Sequence, residues 1–362
     1  MAAEPLALDP SADLLTLFRA IVDVPSASGD ETALADLVQR SLAGLAHLEV
    51  LRDGDAVVAR THAGRARRVV VAGHLDTVPI AGNLPSRVDG DGVVWGRGTV
   101  DMKGGVAVIL ALAATLDEPV HDVTWVLYDH EEVAAELNGL GRVAAGHPDW
   151  LAADFAVLAE PTAAGVEGGC NGTLRALVRV PGVAAHSARA WTGVNAIHRA
   201  GEVLRRLEAY RPRTVTVDGL AYREGLNATL ISGGTAANVI PDWCTVTVNY
   251  RFAPSTSPAQ AEAHVREVLD GFDVEIADVA AGARPGLDDP AARDFVAAVL
   301  GTTGREPTAK LGWTDVARFA ALGIPAVNFG PGDPLLAHTA DERCPIDQVE
   351  QVRAALAAWL TP

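Results

Sequence analysis

Seven carboxylate and imidazole residues carry the chemistry that this sequence offers: His74, Asp76, Asp101, Glu131, Glu132, Glu160 and His338. Each lies in a short segment that reads as a strand end or a glycine-bearing turn. Their composition is that of a two-metal hydrolytic site, with two imidazoles, three ligand carboxylates, and two further carboxylates to orient a ligand and move a proton. Carboxylates mixed with imidazole suit Zn²⁺, with Co²⁺ or Mn²⁺ as competitors. Asp76 lies two residues after His74, so in extended chain both face one side. From there a carboxylate can accept the Nδ1–H of His74 and leave Nε2 for a metal. Asp101 sits among glycines, where backbone can approach an ion, and its two oxygens can bridge metals about 3.5–4 Å apart. Glu131 and Glu132 are adjacent and cannot easily share a role, so one ligates while the other acts as general base toward the attacking water.

Each residue alone has a plainer reading. His-x-Asp is commonest as a surface pair, adjacent acids as a solvated face, a strand-end glutamate as a helix cap, and a late histidine as a loop residue. The coincidence of all the required roles in strand-end contexts favours a metal site. Other chemistries lack their motifs: no Gly-x-Ser-x-Gly elbow, no His-Glu-x-x-His and no P-loop occur. Gly96-x-Gly98 lacks the third glycine of a dinucleotide fingerprint.

The elements that must position these residues are strands feeding loops. The spacing predicts helices over Ala12–Val22 and from Ser28–Glu31 to Ala43, the second capped by Ser28 or Asp30 and ended by Gly44. Val57–Arg60 and Arg68–Ala72 read as strands, and the second runs into Gly73-His74-Leu-Asp76. Val88–Trp95 reads as a hairpin whose Asp89/Asp91 pair belongs to a turn rather than a calcium loop. An alanine- and leucine-rich helix follows Asp101. Val123–Tyr128 delivers Glu131 and Glu132, and Asp154–Ala159 delivers Glu160. Near Thr173 the pattern becomes α+β, with half-exposed strands at Leu174–Val180, Ala228–Ser232 and Thr245–Arg251 and helices at Val194–Tyr210 and Ser257–Leu269. From Asp288 it returns to α/β, with a turn at Lys310–Asp315, a strand at Ala326–Phe329 and a last helix, Ile346–Leu360. The expected fold is an α/β catalytic domain, a mixed sheet flanked by helices, over 1–175 and 286–362, with a smaller α+β domain inserted at 176–285. Ligands collect at the carboxyl ends of strands in such sheets.

Length and composition fit two globular domains: 362 residues, 49% hydrophobic, 21% charged. A net charge of −17 without a basic stripe argues against nucleic acid or an anionic membrane as partner. Cys170, Cys244 and Cys344 lack CxxC spacing and read as packing residues of a reducing compartment. Met1 to Pro10 shows no signal-peptide pattern and no run is long enough to span a bilayer, so a cytoplasmic protein is expected. Only two of the 29 basic residues are lysines, Lys103 and Lys310, both in motif-like segments where an ammonium in particular can be required.

The segments Gly73-His74-Leu-Asp76-Thr-Val-Pro79, Gly96-Arg-Gly-Thr-Val-Asp101-Met-Lys-Gly-Gly105, Glu131-Glu132, Glu160-Pro-Thr and the late His338 together resemble the di-zinc aminoacylase, deacetylase and carboxypeptidase clan over essentially the whole chain. The resemblance implies two Zn²⁺ per chain, one on His74, Asp101 and Glu160, the other on Asp101, Glu132 and His338. It makes Asp76 the orienter of His74, Glu131 the base, and the Asp101–Met102 peptide cis. The inserted domain resembles the clan's lid, which commonly makes a homodimer contact. Its His186 resembles the histidine that polarises the scissile carbonyl. Asn227, Asn238, Arg251, Lys310 and Thr314 are the implied substrate contacts.

Within the clan, Tyr128-Asp-His-Glu-Glu-Val, Lys310-Leu-Gly-Trp-Thr-Asp315 and Asn328-Phe-Gly-Pro-Gly-Asp-Pro334 are most similar to the desuccinylases of N-succinyl-LL-2,6-diaminopimelate. Some of those carry an arginine near the position of Asn171, for which Arg175, Arg251, Lys310 or Arg318 could compensate. The implied function is hydrolysis of that small-molecule amide for lysine and diaminopimelate synthesis. The alternatives are acetylornithine deacetylase, another N-acyl-amino-acid hydrolase or a carboxypeptidase, and, more remotely, a metal-free binding relative.

Overall fold

The computed structural model describes residues 8–301 and 303–362. The reading of Met1 to Pro10 as leaderless therefore lies largely outside the described residues. The chain divides into two compact units, one of Met1–Gly168, Gly286–Thr308 and Arg318–Pro362, the other of Gly169–Pro285 and Ala309–Ala317. The second unit thus begins at Gly169 rather than 176, and the segment holding Lys310 and Thr314 belongs to it.

The first unit is built on an eight-stranded mixed sheet in the order Glu49–Asp53, Ala56–Arg60, Asp122–Tyr128, Arg68–His74, Phe155–Leu158, Ala326–Asn328, Glu167–Gly168 and Thr308–Ala309. The four central strands, from Asp122–Tyr128 to Ala326–Asn328, are mutually parallel, and the pairings Glu49–Asp53 with Ala56–Arg60, and Ala56–Arg60 with Asp122–Tyr128, are antiparallel. These parallel strands are buried along almost their whole length, which is why they read as continuous apolar runs. Helices Leu14–Val22, Thr32–Ala43, Lys103–Thr115, Pro290–Leu300 and Ile346–Leu360 complete the layers. The third of these is apolar on every side and buried from Lys103 to Ala113, as expected of a helix covered all round. Each of its larger aliphatic side chains contributes roughly 1.5–3 kcal/mol by burial. Gly105 permits the close approach of this helix, since a Cβ there would run into the Ala159 carbonyl oxygen beside Glu160.

The second unit is a four-stranded antiparallel sheet ordered Gly225–Gly233, Trp243–Phe252, Gly172–Pro181 and Asp273–Ala280. Helices Ala196–Ala209 and Pro258–Val268 cover one face, and Leu174, Ala176, Val178, Val246, Val248 and Tyr250 point into that core. The expected alternation holds for Gly172–Pro181 and Trp243–Phe252. It fails for Gly225–Gly233, where residues 227–232 are all exposed. This strand lies at the sheet edge and its register shifts between Ala228 and Leu230, so the two-residue period does not map onto buried and open faces.

One smaller expectation is corrected. Neither Ser28 nor Asp30 caps the second helix; its first residue is Thr32, preceded by Glu31 without a side-chain cap. The Ser28 hydroxyl donates instead to Asp76 Oδ2 at 2.7 Å. Asp89 does form a turn, accepting from the Val93 N–H and the Trp95 indole. All three cysteines are free and buried. Among the described residues no helix is long and apolar enough to cross a membrane.

Candidate metal centre

Three parallel strands end at the site. His74 closes Arg68–His74, Glu131 and Glu132 follow Asp122–Tyr128, and Glu160 follows Phe155–Leu158. Asp101 comes from the turn before helix Lys103–Thr115, and its peptide bond to Met102 is cis. His338 is contributed by the loop after Ala326–Asn328 and has a left-handed backbone (φ 64°). His130, immediately before Glu131, shares that conformation (φ 59°). Non-glycine residues held this way cluster at functional sites.

These residues converge. Donor atoms of His74, Asp101 and Glu160 lie within 4.8 Å of one another, as do those of Asp101, Glu132 and His338, and those of His74, Glu131 and Glu132. Asp101 stands between two imidazoles, with Oδ1 at 3.2 Å from His74 Nε2 and Oδ2 at 3.3 Å from His338 Nε2. His338 Nε2 is also 2.8 Å from Glu132 Oε1. Each oxygen of one carboxylate thus faces a different ligand set, the disposition a bridging carboxylate needs. His74, Asp76 and Glu160 are buried, Asp101, Glu131 and Glu132 are partly buried, and His338 is exposed.

The electrostatics show how much negative charge is held here. Burial alone would lower the His74 imidazole, but hydrogen bonds to Asp101 and Asp76 outweigh it and hold it well above its ordinary value. His338 is pushed up to about 10 by its contacts with Asp101 and Glu132. Burial would raise Asp101, yet the two imidazoles bring it far below the usual carboxylate range. Burial raises Glu132 despite the His338 contact. Three carboxylates packed around two imidazoles have the donor chemistry to hold a cation, and hard oxygen with imidazole nitrogen fits Zn²⁺, Co²⁺ or Mn²⁺.

Asp76 meets His74 through both its carbonyl and its carboxylate, and it does more than its spacing suggested. The nearer acceptor for His74 Nδ1 is the Asp76 carbonyl at 2.9 Å, with the carboxylate Oδ1 at 3.5 Å. The carboxylate accepts the backbone N–H groups of Glu131 and Glu132, each at 3.0 Å, as well as the Ser28 hydroxyl. Burial would raise it, but the His74 imidazole first, then the Ser28 hydroxyl and the Glu131 N–H, bring it down to about 2. Asp76 therefore fixes the backbone of both adjacent glutamates.

Four residues around the site carry no spacing signal. Ser28 and Glu31 brace the site, Glu31 by accepting the Gly29 and His130 N–H groups. Arg97 and Glu342 form a buried pair beneath Asp101. Arg97 lies inside a quoted motif and Ser28 in a quoted helix start, but neither has a periodic or spacing signal for its role.

The remaining candidates lie in the second unit. His186 is exposed at the end of Ala185–His186, and its Nδ1 accepts the Ala188 N–H at 3.0 Å, leaving the ring proton on Nε2. Asn227 and Asn238 are exposed. Arg251 donates to Asn249 Oδ1 at 3.2 Å. Lys310 and Thr314 are buried. Asn171 is fully buried, and its amide donates to the Arg223 and Leu311 carbonyls. It ties the segment preceding Thr314 to its own unit. Lys103 is buried as well; its ammonium donates to the Val24 carbonyl at 2.7 Å, and burial lowers it to about 7.

The chain resembles known proteins over nearly its whole length. The chain is 55% identical over 345 residues to a Mycobacterium tuberculosis protein provisionally named a succinyl-diaminopimelate desuccinylase, covering 94% of this chain and 96% of that one. It is 48% identical over 365 residues to the succinyl-diaminopimelate desuccinylase of Corynebacterium glutamicum, covering 98% of each. The structure of a Staphylococcus aureus tripeptidase matches with a TM-score of 0.77 at 21% identity over 96% of each chain, a likeness of fold. The model of peptidase family M20/M25/M40 matches residues 70–361, and the chain belongs to that family.

Proposed function

We propose that the protein hydrolyses N-succinyl-LL-2,6-diaminopimelate to succinate and LL-diaminopimelate, a step toward lysine and cell-wall precursors. The observation that carries this reading is the 48% identity over 98% of both chains to a named desuccinylase. The chemistry rests on the clustered carboxylates and imidazoles.

In this reading His74, Asp101 and Glu160 hold one Zn²⁺, and Asp101, Glu132 and His338 hold the other; Co²⁺ or Mn²⁺ are substitutes. Bound there, the cations polarise the amide carbonyl and make water more acidic. Glu131 is the base: it takes the proton of the attacking water and returns it to the departing amine. Asp76 keeps Glu131 and Glu132 in place through their N–H groups. His186, with its proton on Nε2, donates to the developing oxyanion. Asn227, Asn238, Arg251, Lys310 and Thr314 recognise the polar ends of the substrate. The second unit, over 176–285 in the sequence reading, acts as a lid and pairs two copies into a homodimer. Its edge strand Gly225–Gly233 exposes Leu230 and Ile231, and helix Ala196–Ala209, which packs against that strand, exposes Ile197 and Leu204.

One observation favours a second substrate. Asn171 stands where some desuccinylases carry an arginine, which leaves room for another N-acyl amino acid such as N-acetylornithine. Succinate release from N-succinyl-LL-diaminopimelate by the zinc-loaded protein, with N-acetylornithine beside it, separates the two. Turnover of the first alone is expected. Turnover of only the second keeps the mechanism and moves the substrate, and turnover of neither overturns both.

A further inference from the structure

Below Asp101, a carboxylate and a guanidinium are buried together, Glu342 at 1% exposure and Arg97 at 3%. Glu342 Oε2 accepts Arg97 Nη1 at 2.9 Å and the Gly98 N–H at 3.0 Å. Its Oε1 accepts the Val100 N–H at 3.0 Å and the Asp101 N–H at 3.1 Å. A carboxylate has about four lone-pair sites, and here four donors fill them. Arg97 reaches two further loops: Nε donates to the Pro79 carbonyl and Nη1 to the Thr339 carbonyl, both at 3.1 Å. The pair therefore joins the loop after His74, the turn that carries Asp101 and the loop that carries His338. The approach of the chain on both sides is also fixed, because Arg343–Pro345 pairs with Val93–Trp95 and the Gly96 N–H donates to the Glu342 carbonyl.

We infer that the Arg97–Glu342 pair is a positioning element of the metal centre, which sets the spacing of Asp101 from His338 and thereby the competence of the Asp101–Glu132–His338 set. This rests on the dinuclear reading of the site. Asp101 belongs to both ligand sets and His338 to only one. Letting the turn of Asp101 and the loop of His338 drift apart therefore damages that one set most. Glu342→Gln makes the test sharp. Whichever way the amide turns, its NH₂ faces two donors, either Arg97 with Gly98 or Val100 with Asp101, and two acceptor sites are lost. Arg97→Lys keeps the charge but gathers the donors on one nitrogen, losing the planar fork whose Nε reaches Pro79 while Nη1 reaches Thr339 and Glu342.

The experiment is a Co²⁺ titration of the metal-free full-length chain, followed by visible absorption, with melting curves alongside. Wild type is expected to take up two equivalents. In each variant one equivalent weakens by about 10- to 100-fold, the range for groups behind metal ligands, with an altered Co²⁺ spectrum for that equivalent, and excess Co²⁺ restores turnover. A purely structural role would lower the melting temperature and weaken both equivalents alike, without rescue. That result, or unchanged binding and spectra in the two variants, overturns the inference. So does failure of both variants to fold. If wild type itself takes up no Co²⁺, the dinuclear reading fails first.

Discussion

Adjacent in sequence, Glu131 and Glu132 are separated by what they face. Glu132 approaches His338 at 2.8 Å and belongs to a set with Asp101, whereas Glu131 groups only with His74 and Glu132. Removing Glu131 leaves both proposed ligand sets intact. Glu131→Ala is therefore expected to retain two equivalents of metal by elemental analysis while kcat falls by about 10²- to 10⁴-fold, the usual contribution of a positioned acid–base group. A near wild-type rate would remove Glu131 from the base role. The imidazoles make a second test at this scale. His338 is pushed up to about 10 and His74 is held above its ordinary value, so without a cation the carboxylates favour the protonated form of both rings. A metal must displace those protons, which means that binding releases them and strengthens as pH rises. Calorimetric Zn²⁺ titrations at pH 7 in buffers of different ionisation enthalpy read the release directly. A result independent of buffer would mean that the rings are neutral before metal arrives.

The elements that present these residues differ in how plainly the sequence announces them. Arg68–Ala72 and Val123–Tyr128 are apolar runs bounded by polar turns, and the strands observed are Arg68–His74 and Asp122–Tyr128. The final helix spans Ile346–Leu360, as its periodicity implied. Burial drives both patterns, so both are written in hydropathy. Elements held by other means were not legible. Gly139–Gly146 is a short helix of small residues capped by Asn138, and Thr214–Val217 with Leu220–Arg223 is a hairpin around Asp218 and Gly219. The site divides in the same way. Residue types at strand ends pointed to the seven-residue cluster, because the carboxyl ends of parallel strands share one edge. The acceptor that His74 chooses, the N–H groups that Asp76 collects and the Arg97–Glu342 knot all depend on contacts between distant segments. Ser28 illustrates the cost of reading locally: its position suits a helix cap, yet a buried carboxylate 48 residues away claims its hydroxyl.

For the whole molecule, the direction of the central strands gathers the candidate site at one edge of the sheet, and an exposed edge of the second sheet carries the proposed contact between copies. An acidic chain of net charge −17 repels an anionic substrate unless cations are concentrated at the site, which is consistent with the proposed dinuclear centre. The second unit ends its sheet at Gly225–Gly233, where Leu230 and Ile231 are 71% and 52% exposed. An exposed, apolar edge strand is a template for pairing, and natural proteins blunt such edges with charge when they must stay apart. No lysine and no acidic residue interrupts residues 226–234. Pairing two such edges about a twofold axis would satisfy their backbone groups and cover the neighbouring Ile197 and Leu204 in one isologous contact. Sedimentation of the wild-type chain at micromolar concentration is therefore expected to give a dimer. Leu230→Lys combined with Ile231→Lys should give a monomer with an unchanged circular dichroism spectrum, because two charges are placed on the shared edge while the core of the unit, formed by Leu174, Val178, Val246 and Val248, is untouched. A wild-type monomer would refute the dimer outright. A variant that remains dimeric would move the contact away from this strand and leave its apolar edge to another partner.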